Sequence, residues 1–192
     1  MKILIAFLFV LLPSFVFGDL LKDTFGLELG QGKFAARFTL FLHGFKETTD
    51  KQSEGTGALT FSDGELAGEK GLKVQLIFND DRLFMGGISF GTVKDEQAVQ
   101  RFKSIEKMVE SHNTKARFSD NSRFLDGTRS HTDVELVDGI RNSLAKVDCS
   151  WDWDRSGMQL MVTVDPATGT GKSLSVTLFF LSGTYAPAGF AI

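Results

Sequence analysis

The chain has 192 residues and a formal net charge of −3 at pH 7, with 42% hydrophobic and 23% charged residues. This length predicts about one domain, and this composition excludes a wholly disordered chain. The acidic balance argues against a nucleic-acid partner, because nucleic-acid-binding proteins concentrate Lys and Arg. The single cysteine excludes an intramolecular disulfide framework and a cysteine-only zinc site.

The first segment, residues 1–18, has the features of a secretory signal peptide. A lysine follows the first Met, and fifteen residues without charge run from Ile3 to Phe17. Val16 and Gly18 are the small residues expected before a cleavage point at Asp19. The run is shorter than a membrane-spanning helix requires, and a proline interrupts it. We therefore expect a periplasmic or secreted mature chain without a stable membrane span; an uncleaved anchor is the alternative.

Most of the mature chain alternates apolar and polar residues with a period of two, which is typical of strands with one buried face. The clearest segments are 34–42, 72–78, 145–153, 158–164 and 174–180, and shorter ones are 56–61, 82–90, 115–119 and 132–137. Four turn-forming pairs separate such segments: Asp63-Gly64, Asp126-Gly127, Asp138-Gly139 and Ser156-Gly157. Strands this closely spaced leave little room for crossover helices, so we expect an antiparallel sheet.

One segment, residues 94–112, predicts an amphipathic helix that packs on the sheet. Its apolar residues recur at helical spacing: Ala98, Val99, Phe102, Ile105, Met108 and Val109. The expected fold is therefore mainly β, within the α+β class. It is a single domain over residues 19–192, in which an antiparallel sheet forms a lipocalin-like barrel or a strongly curved sheet, with this one main helix packed on it.

Two loops resemble ligand-binding motifs without completing them. Residues 168–173 end like a phosphate-binding loop, but Pro166 stands where the motif needs its first Gly, and a strand follows. Residues 152–157 match the first half of a calcium-binding loop, but Thr163 stands where a bidentate Glu belongs. We expect hairpin loops at both places and no metal or cofactor, with calcium at the acidic loop left open.

The sequence offers no catalytic constellation. None of the three histidines has the i, i+4 spacing of a helical metal pair, and no nucleophile-elbow pattern occurs. Cys149 lies on the apolar side of segment 145–153, which predicts a buried, inert thiol. We therefore expect a protein that is not an enzyme; a hydrolase with a triad that only the fold would assemble is the third alternative.

The interior is the candidate binding site, because a barrel of about eight strands either fills its interior or holds one apolar ligand. The leading hypothesis is a non-enzymatic protein that binds an apolar small molecule or lipid there. The alternative is an envelope interaction or structural module with a filled core and no ligand. The residues expected to line the cavity are Phe34, Phe38, Leu40, Leu76, Phe78, Phe102, Cys149 and Trp151.

Five stretches occur in a characteristic order along the chain: residues 42–45, 55–61, 114–119, 134–140 and 172–181. In these stretches and their order the chain resembles the YceI-like family of bacterial secreted barrels. Residues 34–61 are also similar to periplasmic lipoprotein-carrier proteins, which use an open barrel for acyl chains. The first resemblance implies a barrel that binds a polyisoprenoid-type lipid, and both imply an apolar ligand.

Overall fold

A computed structural model describes residues 20–48, 57–93, 95–112, 116–128, 132–153, 155–164 and 173–190. The expected signal peptide and its cleavage point lie outside these ranges. Most of the phosphate-loop-like segment 168–173 lies outside them as well, as does Asp154 of the calcium-loop-like segment.

The described residues form four helices and nine strands. In chain order these are α1 (Leu20–Phe25), α2 (Lys33–Leu42), β1 (Lys46–Thr48), β2 (Ala58–Leu66), β3 (Glu69–Asn79), β4 (Arg82–Val93), α3 (Asp95–His112), β5 (Arg117–Asp120), β6 (Arg123–Phe124), α4 (Asp133–Arg141), β7 (Ala145–Trp153), β8 (Ser156–Val164) and β9 (Leu174–Ser182). The main helix and seven of the nine expected strands are confirmed.

The strands form one antiparallel sheet, as expected. Its order is β1-β2-β3-β4-β9-β8-β7-β5, and the two-residue strand β6 pairs separately with β7. In the described part of the chain β1 and β5 do not pair with each other, so the sheet is open. The mainly β, antiparallel fold is therefore confirmed, whereas closure into a barrel is not.

Helices cover one face of the sheet. α3 contacts β8 and β9, α4 contacts β6, β7 and β8, and both α1 and α4 contact α3. The strand side chains that point toward these helices are buried with those of α3 in one continuous core. On the opposite face, which we call the outer face, the side chains of β3, β4, β8 and β9 are partly exposed. The strand alternation predicted from the sequence separates these two faces correctly.

The expected strand at 34–42 is wrong, because this segment is helix α2. Apolar residues occupy so many positions that they satisfy a period of 2 and a period of 3.6 equally well. The structure follows the second period and buries Ala36 and Leu40 against the core. No side chain caps the start of α2 at Gly32, whereas Gly44, with φ of +78°, follows its end. Glycine is the usual residue just beyond the end of a helix, so Gly44 is the feature of the sequence that indicates a helix here.

The expected strand at 132–137 is also wrong, because helix α4 begins there. The Thr132 side chain accepts a hydrogen bond from the backbone of Glu135, and the Glu135 carboxylate accepts one from the backbone of Thr132. This reciprocal pair is a capping box, which starts a helix. The expected turn at Asp138-Gly139 lies inside α4 instead. A Cβ at Gly139 would come within 2.6 Å of the Cβ of Ala145, so close helix packing requires this glycine.

The other turn-forming pairs give mixed results. Asp126-Gly127 forms a turn after β6, with φ of +91° at the glycine. Asp63-Gly64 lies at a bulge within β2, where the pairing with β3 shifts register, rather than at a hairpin. The β7–β8 hairpin is present, but β8 begins at Ser156 and the turn precedes it, because Trp153 already pairs with Ser156.

Candidate binding cleft on the outer face

The structure brings six of the eight expected cavity residues together in the core. Their exposed fractions run from 0 to 7%, and all belong to one cluster of buried side chains: Leu40, Leu76, Phe78, Phe102, Cys149 and Trp151. Phe34 and Phe38 do not join them, since they are 82% and 55% exposed on α2. Both side chains would point into the core if residues 34–42 formed a strand. In helix α2 they point to solvent.

Cys149 and Trp151 are fully buried, as expected from their alternation. The Trp151 ring lies 5.8 Å from that of Phe118, centroid to centroid. Burial raises the pKa of the Cys149 thiol far above its ordinary value, and the carboxylates of Glu106 and Asp120 add to the effect. A thiol held protonated is a poor nucleophile, so Cys149 is a core residue rather than a catalytic one.

Asp148 differs from the expectation that it faces water, because its side chain is only 2% exposed. Gln159 donates a hydrogen bond to its Oδ2 at 2.9 Å, and Nζ of Lys146 lies 3.1 Å from Oδ1. A buried carboxylate needs such partners, because desolvation without them is costly. Asp152, two residues further along β7, is exposed as expected. Alternation gave the correct face for Asp148 but not the side chains that cover it.

The outer face is ordered in rows that cross the sheet, because strand pairing fixes which side chains are neighbours. What we call the first row contains Ser150, Gln159, Phe179, Gly87, Gln75 and Thr60. The second row contains Asp152, Gly157, Leu181, Met85, Ile77 and Ala58. The first row is mostly polar around one phenylalanine, whereas the second is mostly apolar. Each row crosses six strands and is therefore about 24 Å long at the usual strand spacing.

Two clefts lie along the first row and meet at Phe179, and the larger also includes the Asp152, Gly157 and Leu181 end of the second row. The larger, about 610 Å³, lies over β7, β8 and β9, and Ser150, Gln159 and Leu181 contribute to its walls. The smaller, about 280 Å³, lies over β2, β3, β4 and β9, with Gln75 and Thr60 among its lining residues. Phe179, 43% exposed, lines both. The larger volume is in the range of small-molecule sites.

Glycines keep this surface open. A Cβ at Gly87 would lie 3.4 Å from the Phe179 ring, and one at Gly157 would lie 3.0 Å from Oδ1 of Asp152. A side chain at Gly157 would fill part of the larger cleft, and one at Gly87 would fill part of the smaller cleft. Asp152 and Arg155 are the charged residues of the larger cleft, so it presents both signs of charge beside its apolar atoms.

One pattern in the sequence indicates a site on the outer face, although the prediction from the sequence placed the site in a hollow interior. In the outward phase of the strands, where polar residues are the rule, apolar residues occur at Ile77, Met161 and Phe179. Apolar residues in the solvent phase of several strands predict an apolar patch once those strands pair. The pairing order that makes them neighbours, with β9 between β4 and β8, could not be read from the alternation.

Other site types find little support in the described residues. No group of three or more His, Cys, Asp or Glu in that part of the chain could hold a metal ion. No helix there combines the length and hydropathy that a membrane crossing requires. Comparisons of the chain with family models, with curated proteins and with solved structures find no match.

Proposed function

We propose that this protein is an exported, non-enzymatic binding protein that holds an elongated amphiphile, an acyl or isoprenoid lipid, on its outer face. The observation that carries the proposal is the meeting of the two clefts at Phe179, along the mostly polar first row and next to the mostly apolar second row. Such a surface suits a ligand with a hydrocarbon chain and hydrogen-bonding groups. The resemblance to the YceI-like family favours the same ligand class.

Burial of the hydrocarbon chain supplies the driving force. Leu181 lines the larger cleft, and Met85 and Ile77 continue the second row beyond the two linings. All three are partly exposed, so a chain laid along them removes apolar area from water on both partners. Each buried CH₂ contributes about 0.8 kcal/mol. Polar groups of the ligand would meet Ser150, Gln159 and Gln75, which keeps their hydrogen bonds satisfied. The sequence predicts a strongly curved sheet as the alternative to a closed barrel. Such curvature would enclose more of the ligand than a flat sheet would.

The proposal moves the ligand from the interior to the outer face. Six of the eight residues expected around an internal cavity pack against one another in the core. The alternative, an interaction module with a filled core and no ligand, is favoured by one different observation, the exposed aromatic face of α2. We further propose export through a signal peptide at residues 1–18, for which a mature N terminus at Asp19 is the expected result of N-terminal sequencing.

The test is native mass spectrometry of the exported protein, followed by displacement of a fluorescent fatty acid from the lipid-free chain. We expect a co-purified lipid, and binding that depends on chain length but only weakly on salt. Gly87→Val fills the groove beside Phe179 and should weaken binding at least tenfold without lowering the melting temperature. Thr163→Val is the control, because Thr163 lies on the same face outside the lining of both clefts.

Two results would contradict the proposal. One is the absence of both a co-purified lipid and displaceable binding in a folded protein. The other is equal fatty-acid affinity in the original chain and in Gly87→Val, which would place the ligand elsewhere.

A further inference from the structure

The solvent-facing side of helix α2 carries four large apolar side chains, with the exposed Arg37 at its edge. Its large side chains lie at positions i, i+4, i+7 and i+8, a spacing that puts them on one face. They are Phe34, Phe38, Phe41 and Leu42, with exposed fractions of 82, 55, 71 and 67%. The opposite side of α2 is already used, since Ala36 and Leu40 are buried in the core. The fold therefore leaves a second apolar face, which we call the α2 face, in contact with water.

Contacts on both sides of α2 fix this orientation. Arg37 donates two hydrogen bonds to the carboxylate of Glu47, at 3.0 and 2.9 Å. At the start of the helix, the backbone N–H of Lys33 donates to Asp81. Beyond its end, the backbone carbonyl of His43 accepts from Glu65. The helix is thus held to the sheet at three points, and the α2 face cannot rotate into the core to be covered there.

The size of the α2 face argues against a second copy of the chain as its occupant. Aromatic side chains have areas of about 150–250 Å² each, so these four exposed residues present on the order of 500 Å². A stable protein interface needs about 800 Å² from each partner. A ten-residue helix is only about 15 Å long, so two α2 helices packed together fall short of that area.

The chemistry of the α2 face favours a hydrocarbon partner. Its large side chains bear no hydrogen-bonding group, whereas protein interfaces carry about one hydrogen bond per 100–200 Å². Of the cations near the α2 face, Arg37 pairs with Glu47 and Lys46 lies 4.0 Å from Asp63. Nζ of Lys33 lies over the Phe78 ring, 5.8 Å from its centroid. The partner is therefore one that needs neither charge nor hydrogen bonds from this surface.

We propose that α2 docks on the surface of a phospholipid bilayer, with Phe34, Phe38, Phe41 and Leu42 inserted at the boundary of headgroups and acyl chains. Short amphipathic helices rich in Phe and Leu bind membranes in this way, lying in the plane of the interface. Because Arg37 and Lys46 have carboxylate neighbours and Lys33 lies over an aromatic ring, docking depends on apolar area and only weakly on anionic lipid. This inference is separate from the proposed ligand site, since no residue of α2 lines the two clefts.

The experiment is flotation of the protein with phosphatidylcholine vesicles, using a chain that begins at Asp19 and so contains every described element. We expect the protein to float with the vesicles, with little change when a quarter of the lipid is phosphatidylglycerol. The triple substitution Phe34→Gln, Phe38→Gln and Phe41→Gln should reduce partitioning at least tenfold and leave the fold intact, because these side chains face solvent. The matched control is Leu125→Gln with Val134→Gln, which changes side chains of similar exposure, 67% and 66%, outside α2.

A second readout comes from Phe38→Trp, which places a fluorescent ring within the α2 face. Its emission should shift to shorter wavelength when vesicles are added. The proposal is overturned if the folded chain does not float, or if the triple variant floats as well as the original. It is also overturned if light scattering shows a dimer that the triple variant loses while neither protein binds vesicles, because the α2 face is then an interface between copies.

Discussion

Gly86 lies directly against the ring of Phe180, on the core side of the pair β4–β9. A Cβ at Gly86 would come within 2.5 Å of the ring atom Cζ and within 2.6 Å of the backbone oxygen of Gln75. The next residue, Gly87, points to the outer face, where the nearest atom to such a Cβ belongs to Phe179 at 3.4 Å. Adjacent glycines thus serve different purposes, one for core packing and one for an open groove.

Alanine substitution should therefore destabilise the protein at Gly86 and leave its stability nearly unchanged at Gly87. Gly86→Ala forces the backbone of β3 or the Phe180 ring to move, and overpacking of this kind costs about 1–3 kcal/mol. Gly87→Ala meets only the edge of a partly exposed ring and removes the entropic penalty of a strand glycine, so it should be neutral within about 0.5 kcal/mol. Urea denaturation of both variants measures the difference, and an equal loss in both would contradict the assignment of the two faces.

Trp151 is the largest fully buried side chain and should dominate the stability of the β7 region. Trp151→Ala is expected to cost about 3–5 kcal/mol, because it removes the ring and leaves a cavity. Trp151→Phe should cost much less, since none of the described residues accepts a hydrogen bond from the indole Nε1 that it removes. Chemical denaturation tests both values, and a loss well under 1 kcal/mol in the alanine variant would show that the ring is not in the core.

Asp148 and Asp152 form a matched pair on the same side of β7. Asp148→Ala removes a buried carboxylate that Gln159 and Lys146 contact, and a buried charged hydrogen bond contributes about 1–3 kcal/mol. Asp152→Ala changes an exposed residue and should stay within about 0.5 kcal/mol of the original. The measurement is the free energy of unfolding at pH 7. A larger loss in the Asp152 variant would contradict the burial described here.

Most strands could be predicted from the sequence because one face of the sheet is buried in the core. In β9, for example, Leu174, Val176 and Leu178 are buried while Ser175 and Thr177 are partly exposed, and a period of two records that difference directly. The long helix α3 was readable for the same reason, since its single apolar stripe repeats over five turns. Where one side of an element is buried and the other is wet, local pattern and tertiary environment agree.

Helix α2 was misread because that condition fails there. Phe34, Phe38 and Phe41 lie on its exposed side and Leu40 on its buried side, so apolar residues occupy both sides of the helix. Its polar residues, Lys33, Arg37 and Thr39, are spaced so that they fit a period of two as well. The groove at Phe179 was missed for another reason, since it depends on strand order, and order is a non-local property of the chain. Both errors concern apolar side chains in contact with water, which the energetics of folding alone do not predict.

The thiol of Cys149 should make folding stability decrease at alkaline pH. Its pKa in the unfolded chain is near 9.0, and burial raises it well above that in the folded protein. Below pH 9 the thiol is protonated in both states and has no effect on the pH dependence. Above pH 9 only the unfolded chain loses the proton, and this ionisation stabilises the unfolded state. The free energy of unfolding therefore falls, with a slope that approaches about 1.4 kcal/mol per pH unit.

Comparison with Cys149→Ala isolates this effect, because alanine cannot titrate. The alanine variant is less stable at pH 7, owing to the cavity it leaves, and the difference between the two proteins should shrink by about 1 kcal/mol between pH 9 and pH 10. In the original chain at pH 8, a thiol reagent should not react with Cys149 while the protein is folded. It should react once denaturant is added. A stability difference that stays constant up to pH 10, together with rapid labelling of the native chain, would mean that the thiol is accessible and ionises normally.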